Sequence, residues 1–198
     1  MSPILDSIGS VKAYGWGSFV AVAPPAFESI ATVSVGSGGQ AYAEFTVIPS
    51  TYKHLQIRAI AKVVNNNAIA VNGLMQFNSD TGSNYARHLL DGNGSSASAS
   101  GSSNQTSIVV CPFPDNNLST LMFGSFVLDI PDYANTSKYK TIRSLSAYEM
   151  NNATYGAIRL YSGLWKNTNA ITSIKIYGDG KNLDQYSSFA LYGIKGVE

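Results

Sequence analysis

The chain has 198 residues, of which 44% are apolar and 13% are charged, and its formal net charge is +1. This charge favours neither nucleic acid nor an anionic membrane as a partner, and no apolar run reaches the roughly 18 residues of a transmembrane helix. One cysteine and two histidines exclude an intrachain disulfide and are too few for a structural zinc site. A low charge with 12 tyrosines and many small polar residues is typical of a turn-rich β-protein.

Residues 1–26 differ in composition from the rest of the chain. Large apolar side chains are spaced among small residues here, and Pro24 and Pro25 form a stiff extended break. The segment is too apolar for a solvated tail and too rich in glycine for a stable helix. We interpret it as an N-terminal anchoring arm that packs on a neighbouring subunit or partner, with a disordered start as the alternative. The side chains expected to make this contact are Ile8, Val11, Tyr14, Trp16 and Phe19.

Beyond residue 26, short stretches of alternating apolar and polar residues are separated by turn residues, which predicts β-strands. The longest alternation covers residues 53–63, where only Ile60 breaks the polar face and suggests partial cover there. A four-residue glycine and serine link at 36–39 predicts a hairpin between the first two strands. The predicted strands are 29–35, 41–48, 53–63, 69–77, 106–110, 120–130, 141–148 and 157–161, followed by closing strands within 162–196.

Two stretches between these strands need their own interpretation. Residues 93–103 are a low-complexity run of glycine, serine and alanine, which predicts a mobile surface loop. Cys111 lies in a strand-like stretch and is expected to be a small buried hydrophobe. About ten strands with few helix patterns predict an all-β fold. We therefore expect residues 27–198 to form an antiparallel, two-sheet sandwich of jelly-roll type, preceded by the extended arm.

No arrangement of residues in the sequence predicts catalysis. Neither His54 nor His88 lies in a motif that would place it beside a nucleophile. A glycoside hydrolase needs two carboxylates about 5–10 Å apart, and the candidates are Glu149 with Asp129 or Glu44. Nothing local supports such a pair, so we predict a non-enzymatic chain with no catalytic residue and no cofactor.

Two kinds of binding chemistry deserve a named candidate set. Oxygen ligands for calcium could come from one loop that holds Asp80, Asn84, Asp91 and Asn93, although such residues more often stabilise turns. Aromatic side chains could stack on sugar rings, although a tyrosine on a strand is usually half-buried packing. We therefore assign no metal or ligand residues. The aromatic candidates are Tyr155, Tyr161, Trp165 and Tyr177.

Several stretches together resemble a family of small virion surface proteins of tailed bacteriophages, notably phages of cyanobacteria. The stretches are residues 27–33, 48–58, 77–85, 123–125, 132–140, 162–166, 170–176 and 189–196. The resemblance covers about residues 27–196, which is nearly the whole β-domain. It implies a non-enzymatic structural protein that is assembled into a virion in the host cytoplasm.

The resemblance does not specify a position in the particle. We expect a surface-exposed module at the tail or baseplate, resembling a tail fibre component, and the alternative is a capsid decoration protein that stabilises the head. The expected partners are tail, baseplate or major capsid proteins and further copies of the chain in a homotrimer, whose symmetry would turn weak contacts into avidity. A different class of function is a carbohydrate-binding module for host-surface glycans.

Overall fold

The computed structural model describes residues 26–64, 68–115, 121–151 and 155–196. Its described residues form twelve strands and contain no helix. The strands are β1 (Phe27–Ser34), β2 (Ala43–Phe45), β3 (His54–Ala61), β4 (Ala70–Phe77), β5 (Tyr85–Gly92), β6 (Ala97–Gln105), β7 (Ile108–Pro114), β8 (Gly124–Pro131), β9 (Lys140–Glu149), β10 (Gly156–Trp165), β11 (Ile174–Gly178) and β12 (Ser188–Ile194).

The strands form two antiparallel sheets, which confirms the predicted sandwich. The larger sheet has eight strands in the order β1-β12-β3-β8-β9-β10-β5-β6, and the smaller has four in the order β2-β11-β4-β7. The chain changes sheet at each step from β2 to β3, β4 and β5, and again from β6 to β7 and β8. This repeated crossing between two sheets is the jelly-roll topology.

The core lies between the sheets, and the central strands of the larger sheet contribute to it by alternation of buried and exposed residues. On β8, Phe126 and Leu128 are buried while Val127 between them is exposed. Phe77 and Phe113 from the smaller sheet are fully buried against this layer. Cys111 is also buried here, as predicted, and burial raises the pKa of its thiol well above the usual value. Removal of this apolar surface from water is the main force that joins the sheets.

The first two predicted strands do not form a hairpin. β1 pairs with β12 in the larger sheet, whereas β2 pairs with β11 in the smaller sheet. The link at residues 36–39 therefore carries the chain from one sheet to the other. Its Gly38 and Gly39 have positive φ values of 93° and 75°. Glycine adopts such values without strain, and here they allow the chain to cross between the two sheets.

The prediction of a mobile loop at residues 93–103 is wrong. A short turn follows β5, and residues 97–105 then form β6, which pairs with β5 at the edge of the larger sheet. Backbone hydrogen bonds to β5 order this segment although its side chains bury almost nothing. Composition predicted the exposure of these residues correctly and their conformation incorrectly.

Candidate interaction surface

The larger sheet has one face packed on the smaller sheet and a second face that turns away from it, here called the outer face. Four apolar side chains lie side by side on the outer face, because the register pairs Val127 with Leu145, Leu145 with Leu160, and Leu160 with Leu90. They form one row across β8, β9, β10 and β5. A row of this kind on an outward face has no role in the core.

A second row runs beside the first and adds to it. The register places Ile60 opposite Ser125, Ser125 opposite Ala147, and Ala147 opposite Ile158. The two rows together form the apolar patch, whose members and exposed fractions are Ile60 (48%), Leu90 (55%), Val127 (39%), Leu145 (55%), Ile158 (62%) and Leu160 (42%).

The apolar patch is concave at its centre. A groove of about 560 Å³ lies across β3, β8, β9 and β10, and Ile60, Val127, Leu145 and Ile158 line it. Isolated exposed apolar residues are normal on soluble proteins, but contiguous patches mark sites where another surface binds. This patch is therefore the strongest candidate for a functional site in the part of the chain that the structure describes.

A polar network borders the apolar patch along one side. Arg58 Nε donates to Gln56 Oε1 at 2.9 Å, Gln56 Nε2 donates to Asp129 Oδ1 at 2.8 Å, and Arg143 Nη2 donates to Asp129 Oδ2 at 2.8 Å. Burial raises the pKa of Asp129, but the hydrogen bonds from Arg143 and Gln56 outweigh it and hold the pKa below its usual value. The network forms the polar boundary of the apolar patch on this side. Its charged groups can orient a partner that binds to the patch.

An aromatic pair extends this border towards the β1 edge. The rings of Phe27 and Tyr192 are stacked with their centroids 4.8 Å apart. The guanidinium of Arg58 lies 5.4 Å from the centroid of Phe27 and 5.9 Å from that of Tyr192. The guanidinium is attracted electrostatically to the faces of both rings. Arg58 is therefore held between the aromatic pair and the polar network.

A charged corner lies where β8 ends. The backbone N–H of Asp132 donates to His54 Nδ1 at 3.1 Å, and Lys53 Nζ lies 2.9 Å from Asp132 Oδ1. Lys138 donates to the other carboxylate oxygen. The hydrogen bonds from Lys138 and Lys53 lower the pKa of Asp132 to about 2. His54 thus accepts a backbone hydrogen bond and helps to hold the turn before β9.

The structure does not bring the four calcium candidates together. Asp80 and Asn84 lie before β5, whereas Asp91 and Asn93 lie at its far end, roughly 25 Å away for an eight-residue strand. Asp80 accepts hydrogen bonds from Asn84 and Trp165, and Asp91 pairs with Arg159. No group of three or more metal-ligating side chains occurs among the described residues. The single-loop interpretation was therefore wrong.

The carboxylates that were considered for glycoside hydrolysis are also far apart. Asp129 lies opposite Arg143, and Glu149 is six residues further along β9, which corresponds to roughly 20 Å. Glu44 lies on β2 in the smaller sheet. Glu149 and Asp129 are therefore too far apart for this reaction, and Glu44 lies between the buried Ala43 and Phe45, so its side chain turns away from the larger sheet that holds the other two.

The aromatic sugar-binding candidates divide into two groups. Trp165 and Tyr161 are 1% exposed and belong to the packed interior, so they offer no ring face to a ligand. Tyr155 and Tyr177 are half-buried. The packing interpretation is correct for Trp165 and Tyr161, so of the four candidates only Tyr155 and Tyr177 have ring surface that a glycan can reach.

The five residues proposed as arm contacts all precede β1 in the chain. Ile8, Val11, Tyr14, Trp16 and Phe19 lie outside the described residues, which begin at Ala26. The described part contains no helix with the length and apolar character needed to span a membrane.

The apolar patch itself was missed at the sequence level, although one signal was present. Ile60 interrupts the polar face of its strand, and the alternation alone indicated that it points outward. Leu145, Leu160 and Leu90 carried no comparable signal, because only strand register places them side by side. Pairing across strands is not readable from one strand at a time.

No family model, curated protein or solved structure matches this chain. The resemblance to phage virion proteins therefore stays a prediction from the sequence, and the site must be interpreted from its own chemistry.

Proposed function

We propose that this chain is a structural protein of a tailed-phage virion, whose jelly-roll domain is held in the particle by contacts with other virion proteins. The observation that carries the proposal is the apolar patch on the outer face. A virion protein must stay soluble before assembly, and part of its surface must become buried against other virion proteins afterwards. Apolar burial contributes about 25 cal/mol per Å², so a partner that covers this patch gains affinity without specific chemistry.

The border of the patch supports protein docking rather than ligand capture. A protein interface commonly has an apolar centre and a polar rim, with arginine and aromatic side chains enriched. The patch has Leu145 at its centre, and Arg58, Arg143 and Tyr192 lie on its border. Within the particle, we place the module at the tail or baseplate, with decoration of the head as the alternative.

The test uses the phage that encodes this chain. Mass spectrometry of purified particles should detect the chain, and cryo-electron microscopy should locate it at the tail or baseplate. Density on the head at a fixed copy number would favour capsid decoration. Purified particles without the chain would contradict the proposal as a whole.

A substitution then tests the role of the patch. The change Leu145→Glu in the phage should reduce incorporation of the chain at least about tenfold, because it places a charge at the centre of a buried apolar contact. The matched control is Leu121→Glu, since Leu121 is 86% exposed and lies outside the patch. Equal incorporation of both variants would show that the patch does not hold the module in the particle.

A further inference from the structure

β6 is an unusual edge strand. It has nine residues, none of which is charged or proline, and eight of them are exposed. Among the described residues it pairs only with β5, so the backbone donors and acceptors on its other side have no strand partner there. Native proteins normally protect such an edge, because it is a template for pairing with another strand.

The other three sheet edges carry the protection that β6 lacks. β1 contains Glu28 and has a register shift between Ser29 and Ala31. β2 has only three residues. β7 is almost entirely buried and contains Pro112 and Pro114, which donate no backbone hydrogen bond. The openness of β6 is therefore specific to this edge and is not a general property of the fold.

The regular part of β6 lies next to the apolar patch. Residues 97–102 pair with β5 without a shift, and the irregularity is confined to the end near Tyr85. The register places Ala99 opposite Leu90, which is the last large side chain of the first apolar row. The row therefore reaches the edge of the sheet and stops there.

We propose that two copies of this chain associate through β6, antiparallel and around a two-fold axis near Ala99, to form one continuous sixteen-stranded sheet. This inference does not depend on where the protein acts. It replaces the trimer expected from the resemblance with a two-fold dimer, because an edge of this kind pairs with one further strand.

A second copy fits this edge better than an unrelated strand. An antiparallel pair around a two-fold axis keeps both outer faces on the same side, with Ala99 opposite Ala99 and Ser98 opposite Ser100 of the second copy. The apolar rows of the two copies are then connected through the two Ala99 side chains, which lie between Leu90 of one copy and Leu90 of the other. No like charges lie opposite each other on the paired strands, and a net charge of +1 gives little repulsion between copies.

The first test is the mass of the full chain in solution. Analytical ultracentrifugation at micromolar concentration should give twice the chain mass of 21.1 kDa. The change Ala99→Lys should weaken association at least about tenfold, because two ammonium groups would face each other at the axis. The matched control Ala31→Lys places the same charge on the β1 edge and should leave the dimer intact.

Two further variants test the geometry. A mixture of Ala99→Lys and Ala99→Glu should recover the dimer that Ala99→Lys alone loses. The change Ala99→Cys should give a disulfide-linked dimer on oxidation, since opposed residues in an antiparallel pair lie about 4.5–5.5 Å apart between Cα atoms. Ala31→Cys should give none. A wild-type monomer, a trimer, or a dimer that survives Ala99→Lys would each overturn the proposal.

Discussion

Trp165 Nε1 donates a 2.7 Å hydrogen bond to Asp80 Oδ2, and this contact joins the end of β10 to the turn before β5. The indole packs between Phe77 and Tyr85, with centroids 5.5 and 6.5 Å away. Burial raises the pKa of Asp80, but hydrogen bonds from Trp165, Gly82 and Asn84 outweigh it and lower the pKa. Asp80, a candidate calcium ligand, is thus the hydrogen-bond acceptor for Trp165, the largest fully buried side chain among the described residues.

Removal of this acceptor should destabilise the fold. We expect Asp80→Ala to lower the free energy of unfolding by about 1.5–3 kcal/mol, because the indole N–H loses a charged partner inside the protein. Urea denaturation followed by tryptophan fluorescence measures the loss. Asp179→Ala, in an exposed turn after β11, is the control and should change stability by less than about 0.5 kcal/mol. An equal loss of unfolding free energy in both variants would show that the hydrogen bond between Trp165 and Asp80 does not stabilise the fold specifically.

Stability should depend on pH through Asp132. Its pKa of about 2 is below the usual value, so its ionised form stabilises the folded state. This contribution is complete above about pH 5 and is lost as the pH falls through about 2. Asp132→Asn should therefore be less stable than the wild type at pH 7, and the difference should become small as the pH falls to about 2 and below. A difference that stays constant between these pH values, in urea titrations, would contradict the assignment.

The two faces of the larger sheet should respond differently to the same substitution. Leu128→Ala opens a cavity in the core and should cost about 2–5 kcal/mol, because Leu128 is fully buried. Leu145→Ala should cost less than about 1 kcal/mol, because Leu145 is 55% exposed. Chemical denaturation of both variants compares them directly. A large loss for Leu145→Ala would show that the patch stabilises the isolated fold and is not reserved for a partner.

Any side chain at Gly193 should destabilise the fold. A Cβ at this position would overlap the ring of Tyr52, whose hydroxyl donates to Glu28 at 2.9 Å. We expect Gly193→Ala to lower the free energy of unfolding by about 1–3 kcal/mol through overpacking. Gly36→Ala is the control, because no atom lies within 4 Å of its Cβ position. Thermal unfolding distinguishes them, and an unchanged midpoint for Gly193→Ala would mean that Tyr52 can move aside.

The N-terminal arm should be dispensable for folding. Deletion of residues 1–25 leaves Ala26, whose carbonyl accepts a 2.9 Å hydrogen bond from the backbone of Lys195. We expect this truncated chain to keep its circular dichroism spectrum and unfolding midpoint, and the proposed virion role requires that it be lost from purified phage particles. Normal incorporation of the truncated chain would refute the anchoring role of the arm.

The strand predictions show where sequence reasoning succeeds. Alternation identified β3 and β9 to within two residues at each end, and β8 with a start four residues too early, because one face of each strand is buried and the other is not. Cys111 was correctly predicted to be buried, because a lone cysteine in a strand-like stretch is usually a small buried hydrophobe. β6 was missed because both of its faces are exposed, so its sequence shows no alternation of apolar and polar residues.

The sequence by itself determined the all-β class, the number of strands to within two, and the buried side of the strand at residues 53–63, because these depend on local alternation and turn residues. Only the tertiary structure decided which strands pair, and so it alone placed Leu145 between Val127 and Leu160 and left β6 at an open edge. Strand pairing joins residues far apart in the chain, and the free energy that selects it comes from packing across two sheets.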